Sequence, residues 1–332
     1  MMEKLRVAIL GAGPAGLSAG LWLKNLGFEP ILLERSGQPG GLPNLNFLRN
    51  NWVLGHVSVT GQTLSQRFCA HAHAAGVEIH LDARPVALAP LPSGAAELSF
   101  GDGVSALAVY AVIVATGSRY RGPEILGKPL ADALRNSGRI ACGPYAFCDM
   151  AKLAGQHVLI VGGGDNACEN ARLLLDAGVK TTLVARSRLR ARRQMSDAIT
   201  ADANCAIHEE SHIRDIAPAN ATLSVLIARS DGTERRLSVD RVHILAGYEP
   251  NTAFLRDLLP ARWHALLGMD AAGYLQTDAW GRTTVPGIYA VGDVANPEFP
   301  SVVSAIAQGA KTAKILEQDL RGAPLFPLSG TT

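Results

Sequence analysis

Two glycine-rich turns, one carboxylate, a run of arginines and two cysteines are the residues of this 332-residue chain whose types and spacing could do chemistry. The first turn, Gly11-Ala-Gly13-Pro14-Ala15-Gly16, closes the apolar run Arg6-Val-Ala-Ile-Leu. The second, Gly162-Gly-Gly164-Asp165-Asn166-Ala167, closes His157-Val-Leu-Ile-Val. In such a turn the first glycine makes the bend, and the second lets the main chain approach a pyrophosphate. The third small residue lets a helix pack closely on the strand with its positive N-terminal end toward the phosphates. The second turn follows the first at an offset of 151 residues, which also carries Gly27 onto Gly178 and Arg35 onto Arg186. The repeat therefore spans a strand, turn, helix and second strand, and one chain should hold two dinucleotides.

The end of the second strand separates the two sites. Ile31-Leu-Leu-Glu34 ends in a carboxylate, placed where an acid binds ribose hydroxyls, which suits an unphosphorylated adenosine ribose as in FAD or NAD. The equivalent residue of the second copy is Ala185, followed at once by Arg186, Arg188, Arg190, Arg192 and Arg193. With the repelling carboxylate gone and guanidinium forks in its place, that site fits a 2′-phosphate, so its ligand should be NADPH.

These sites need elements to position them. Val77-Glu-Ile-His-Leu and a meander from Glu97 to Phe100 and from Ala106 onward lead to Val112-Ile-Val-Ala115-Thr116-Gly117, which closes the first copy. The second runs through Thr222 to Arg229, turns at Asp231-Gly232 as a hairpin, and closes on Val242-His-Ile-Leu-Ala-Gly247. Ser118-Arg-Tyr-Arg-Gly-Pro123, rich in breakers and charge, reads as a domain crossing. A last strand ends at Gly292-Asp293 and precedes a helix of small side chains from Pro300 to Gly309.

Bulk properties narrow the class. A net charge of +2 gives no signal for nucleic acid, and the longest apolar run, Ala106 to Ala115, is far short of a membrane span of roughly 18–20 residues. The start of the chain does not read as a secretory signal, and five cysteines, an odd number, argue for reduced thiols. The expectation is a cytoplasmic enzyme of two domains. His208-Glu209-Glu-Ser-His212 matches a zinc-protease pattern that requires a helix, but it follows the strand-like Cys205-Ala-Ile207, so no metal is expected.

The set Gly11/Gly13/Gly16, Glu34, Ala115-Thr-Gly117, Gly162/Gly164/Ala167, Gly247-Tyr-Glu-Pro250-Asn-Thr and Gly292-Asp293 resembles the low-molecular-weight thioredoxin reductase family, in order and spacing over nearly the whole chain. The resemblance implies an α/β fold of two Rossmann-like dinucleotide-binding domains, with the NADPH domain inserted into the FAD domain. On that mapping residues 1–118 and 247–332 form the FAD domain, residues 119–246 the NADPH domain, and the protein is a homodimer. FAD contacts would come from Gly11, Gly13, Pro14, Ala15, Gly16, Glu34, Arg35, Gly41, Asn51, Ala115, Thr116, Gly117, Gly292, Asp293, Ser301 and Val302. Asp293 would hold the ribityl chain, Ser301 and Val302 would aim N–H groups at the flavin, and Asn51 would lie by the isoalloxazine. NADPH contacts would come from Gly162, Gly164, Asp165, Asn166, Ala167, Arg186, Arg190 and Gly247.

One departure carries the functional question. The family has Cys-x-x-Cys followed by Asp before the second turn, whereas this chain reads Cys142-Gly-Pro-Tyr145-Ala-Phe-Cys148-Asp149. Cys148-Asp149 falls on the second cysteine and its Asp, and Tyr145 on the first. Three readings stand: Cys142 and Cys148 bridge through the Gly143-Pro144 turn, Cys148 acts alone as a thiolate, or both are packing residues and the acceptor meets the flavin directly. The third, favoured here, resembles the thioredoxin-reductase-like ferredoxin–NADP+ reductases. It implies hydride transfer from NADPH to FAD and then to an unidentified acceptor, such as a small redox protein meeting Arg119, Arg121, Arg135 and Arg139. The alternatives are a thiol/disulfide oxidoreductase using Cys142 and Cys148, and a non-catalytic flavin and NADPH sensor.

Overall fold

A computed structural model describes residues 4–101, 104–144, 150, 152–322 and 324–326. Contacts divide the chain into two units, residues 1–119 with 249–332, and residues 120–248. The segments Ser118–Tyr120 and Tyr248–Pro250, where the chain passes between them, pair as a two-stranded ribbon.

The first unit is built on a five-stranded sheet in the order Ile288–Ala290, Ala111–Val114, Arg6–Leu10, Glu29–Leu33, Glu78–His80, and every pair is parallel. Parallel strands are covered on both faces, so their sequences are continuously apolar rather than alternating. Alternate residues still divide between the faces. Ala8, Leu10, Ile31, Leu33, Val112 and Val114 pack with the antiparallel meander Pro85–Pro90, Ala96–Phe100, Leu107–Val109 and with Trp263 and Phe326. Val7, Ile9, Leu32 and Ile113 pack under the helices Pro14–Asn25 and Val302–Gly322. Phe326, the sole aromatic of the C-terminal stretch, is a core residue stacked on Trp263 at 5.5 Å.

The second unit repeats the plan. Its parallel sheet runs Ile140–Cys142, Arg241–Ile244, His157–Val161, Lys180–Val184, Cys205–His208. Val158, Ile160 and Leu183 meet the helix Asp165–Asp176, while Leu159, Val161 and Val184 meet the meander Ser211–Ala219, Thr222–Arg229, Glu234–Val239. The Asp231-Gly232 hairpin forms where expected, with Gly232 at φ 89° and Thr233 N–H donating to Asp231 Oδ1 at 2.9 Å. His208 ends one strand and Ser211 begins another, with Glu210 at φ 52° between them. The helix that a His-Glu-x-x-His zinc site requires is therefore not formed. Among the described residues no helix is long and apolar enough to cross a membrane.

The two helices of the first unit approach closely because glycine lies between them. A Cβ on Gly309 would stand 2.3 Å from the Ala15 carbonyl oxygen, and Ser18 Oγ donates to the Ile306 carbonyl at 2.7 Å. Gly309→Ala would gain about 0.5–1 kcal/mol of helix propensity, but overpacking costs about 1–3 kcal/mol. Because the clash is with main chain, which has little room to give, the clash wins. Urea denaturation is expected to show Gly309→Ala destabilised; an unchanged or raised midpoint would contradict this packing.

Candidate functional site

In the first unit the strand Arg6–Leu10 ends at Gly11, whose N–H donates to Leu33 at 2.9 Å and whose φ is 107°. A Cβ there would lie 2.5 Å from the Ala115 carbonyl oxygen, so only glycine fits. The helix then starts at Pro14, with Gly13 as N-cap and no side chain capping its first turn. Proline costs nothing at this position because its missing N–H is one of the unpaired donors. The remaining uncapped N–H groups, with the helix dipole, have the chemistry to hold an anion. Gly41 lies against it: Gly40 N–H donates to the Ala12 carbonyl at 2.8 Å, and a Cβ on Gly41 would be 3.1 Å from the Gly13 Cα.

Glu34 is buried at 9% exposure and fixed from two sides. Its Oε2 accepts the Ala12 N–H at 2.9 Å, and its Oε1 accepts the Ser36 N–H and hydroxyl at 3.0 and 2.8 Å. A carboxylate has about four acceptor positions, so one remains for a further donor. Arg35 beside it is exposed. Asn51 is exposed, and its Oδ1 accepts the Ser58 N–H at 2.6 Å, which closes the 51–58 loop.

Ala115-Thr116-Gly117 continues from the strand Ala111–Val114 and is locked by Asn251, a buried residue that sequence reading quoted only within a motif. Asn251 Nδ2 donates to the Thr116 carbonyl at 2.9 Å, its N–H to Gly117 at 3.0 Å, and Thr116 Oγ1 donates to the Asn251 carbonyl at 2.8 Å. Gly292 N–H donates to Gln308 Oε1 at 2.7 Å, which ties the turn before Asp293 to the long helix. Asp293 is partly buried and accepts a long hydrogen bond of 3.4 Å from Ser118 Oγ. Burial pushes its carboxyl up to about 6, with the serine pulling slightly the other way. Ser301 caps the helix Val302–Gly322, its Oγ accepting the Ser304 N–H at 3.1 Å.

In the second unit the strand His157–Val161 ends at Gly162, whose N–H donates to Val184 at 3.0 Å and where a Cβ would lie 2.3 Å from the Leu245 oxygen. Gly164 is the N-cap of the helix Asp165–Asp176, again without a side-chain cap, and Ala167 is buried in its first turn. Asn166 Nδ2 donates to the Tyr248 hydroxyl, which donates to the Tyr120 hydroxyl at 3.2 Å; the two rings lie 4.7 Å apart. Gly247, at φ 92°, accepts the Arg121 N–H at 3.0 Å. Ala185 is buried, and Arg186, Arg188 and Arg190 are exposed. Arg192 is committed elsewhere, its Nε donating to Asp165 Oδ2 at 2.9 Å.

Cys142 ends the edge strand Ile140–Cys142, in register with Ile244, and packs against the buried apolar cluster that includes Leu134, Leu159 and Val242. Burial pushes its thiol up, and the Arg135 charge only partly offsets this. A thiol in that state is a poor nucleophile at neutral pH. Tyr145, Cys148 and Asp149 lie outside the described residues.

Residues 5–309 match the pyridine nucleotide-disulphide oxidoreductase family. The chain is 32% identical over 310 residues to a thioredoxin reductase of Listeria monocytogenes, covering 91% of this chain and 90% of that one. It is 29% identical over 331 residues to a glucosaminate ammonia-lyase of Pseudomonas fluorescens, covering 96% of each. Among solved structures, Lactococcus lactis thioredoxin reductase in its FR conformation superposes with a TM-score of 0.82 at 27% identity, over 96% of this chain and 100% of that one. The thioredoxin reductase of T. acidophilum gives 0.82 at 26% identity, over 95% of this chain and 98% of that one.

The Asp293 carboxyl gives a test without any ligand. Its folded-state value near 6 lies above the ordinary 3.8. Between those values the folded chain keeps a proton that the unfolded chain has lost, so stability falls as pH rises through that window. Ligand-free Asp293→Asn should therefore melt above ligand-free wild type at about pH 8 and level with it below about pH 4. Scanning calorimetry across that range checks it, and a difference that does not vary with pH would contradict the burial argument.

Proposed function

The chain belongs to the pyridine nucleotide-disulphide oxidoreductase family, as a thioredoxin-reductase-like enzyme dependent on FAD and NADPH, and from that membership we propose a division of labour between its units. FAD binds the unit of residues 1–119 and 249–332, NADPH binds the unit of residues 120–248, and electrons leave the flavin directly for an acceptor rather than through a dithiol. The observation that carries the division is the exchange of Glu34 for Ala185 at equivalent strand ends. Glu34, pinned by Ala12 and Ser36, has one acceptor position left, which suits a ribose hydroxyl and repels a phosphate. Ala185 offers no such repulsion, and the exposed Arg186 and Arg190 beside it supply charge-assisted donors.

The remaining residues fit the same pair of ligands. The uncapped helix starts at Gly13 and Gly164 each present main-chain donors to a pyrophosphate. Asp293, desolvated and, among the described residues, held by one long hydrogen bond, is suited to hydroxyl donors such as those of a ribityl chain. Asn251 holds Thr116 and Gly117, which follow the end of the strand Ala111–Val114. When bound, the two cofactors supply hydride transfer from nicotinamide to flavin, and the protein's part is alignment and exclusion of water. No side chain of the chain need donate or accept a proton in that step. Cys142, held in a strand with its thiol protonated, supports direct transfer to the acceptor, as does Tyr145 at the place of the family's first cysteine.

Two experiments test this reading. Arg186→Ala combined with Arg190→Ala should lower kcat/KM for NADPH by about two to four orders of magnitude, since two charge-assisted bonds of about 1.5–3 kcal/mol each are lost, and leave NADH turnover unchanged. Equal wild-type kcat/KM for the two nucleotides would sink the assignment. Anaerobic titration should consume about one NADPH per FAD without a thiolate-to-flavin charge-transfer band, and the reduced protein should not reduce thioredoxin. A second equivalent, lost in both Cys142→Ser and Cys148→Ser, would instead establish a Cys142–Cys148 redox centre.

A further inference from the structure

The sequence His208-Glu209-Glu-Ser-His212 forms strand ends and a turn rather than the helix of the zinc pattern, yet its glutamate is used. After Val184 the chain leaves the sheet and runs Arg186-Ser-Arg188-Leu189-Arg190-Ala191-Arg192 without regular structure, so its N–H groups must find partners singly. Three do. Leu189 N–H donates to Glu209 Oε1 at 2.6 Å, Arg190 N–H to the Gly163 carbonyl at 2.7 Å, and Arg192 N–H to Asp165 Oδ1 at 2.8 Å. Leu189 and Ala191 pack on the apolar cluster under the Asp165–Asp176 helix. The alternation therefore turns Arg188 and Arg190 outward, and both are exposed.

The charges are divided in the same way. Arg192 lies between Asp165 and Glu169, at 2.9 and 3.7 Å. Among the described residues Arg186, Arg188 and Arg190 have no acidic partner, and Glu209 pairs with no guanidinium. Glu209 thus adds a negative charge beneath a segment whose arginines repel one another, and it occupies main chain rather than a fork that a phosphate would need. Its main chain is held by hydrogen bonds on both sides. His208 is in register with Val184, Ala185 N–H donates to the His208 carbonyl at 2.9 Å, and Ser211 N–H returns to the Ala185 carbonyl at 2.9 Å.

We propose that Glu209 is a positioning residue for recognition of the nucleotide's 2′-phosphate, holding the segment so that Arg186, Arg188 and Arg190 face the ligand already unpaired. The proposal rests on NADPH binding in this unit. A main chain fixed before the ligand arrives loses less freedom on binding and presents its arginines on one side, so the benefit falls on the phosphorylated ribose and not on the rest of the nucleotide.

Isothermal titration of the full-length FAD-loaded protein with 2′,5′-ADP and, separately, ADP reads the effect without turnover. Wild type should bind 2′,5′-ADP more tightly than ADP. Glu209→Ala should weaken 2′,5′-ADP about tenfold and ADP less than about twofold, while Glu209→Gln, whose amide oxygen still accepts the Leu189 N–H, should stay within about twofold of wild type on both. If wild type does not favour 2′,5′-ADP, the NADPH reading itself falls. If it does and Glu209→Ala keeps the preference, or loses both ligands equally, the positioning role falls alone. Hydrogen exchange on ligand-free wild type gives an answer that needs no variant: the Leu189 amide should be protected, and exchange at the rate of an open loop would overturn the proposal.

Discussion

Each unit is organised around a main-chain oxygen, that of Ala115 in one and of Leu245 in the other, which stands where a side chain on the first glycine of the turn would lie. That exclusion lets strand, turn and helix close at the end of a parallel sheet with the helix N-terminus uncapped. Among the described residues no side chain caps those donors, and a phosphate is a partner they suit. The strands that hold this arrangement are covered on both faces, which is why Val7–Leu10 and Val158–Val161 are buried throughout. The scaffold is thus the same twice in four of its strands and in the three-stranded meander; the fifth strand differs in origin, Ile288–Ala290 coming last in its unit and Ile140–Cys142 first in the other.

Function enters where the copies differ. At the end of the second strand one copy keeps a carboxylate held by three donors, and the other has a buried alanine beside a guanidinium-rich segment. A carboxylate and a 2′-phosphate repel each other, so under the proposed division the two strand ends would distinguish ligands that have an ADP moiety in common. The acids of the second unit do not undo this. Asp165 and Glu169 hold Arg192, and Glu209 holds main chain, which leaves the remaining arginines to solvent.

The parts legible in the sequence were those whose signals are local. Continuous apolar runs ending in glycine gave the central strands, and Asp231-Gly232 between alternating runs gave the hairpin that forms. Ile140–Cys142 was not legible as a strand, because three residues carry no period and its partner Arg241–Ile244 lies about a hundred residues away. Pro85–Pro90 was hidden by the prolines at its ends, which an edge strand tolerates. Within the sites, glycines and Glu34 could be found by spacing. Asn251, Gln308 and Glu209 could not, since each acts on main chain distant in sequence. The histidines around Glu209 drew attention to a metal pattern, when the informative neighbour was the arginine segment.

The central claim is that one chain holds two ligands in two separate sites distinguished by one strand-end residue. Titration calorimetry of the flavin-free protein with FAD and with 2′,5′-ADP, alone and each in the presence of the other, tests it most directly. The account requires one site for each ligand, with neither displacing the other, Asp293→Ala weakening only FAD and Arg186→Ala only 2′,5′-ADP. Competition between the two ligands, or one substitution abolishing both, would contradict it.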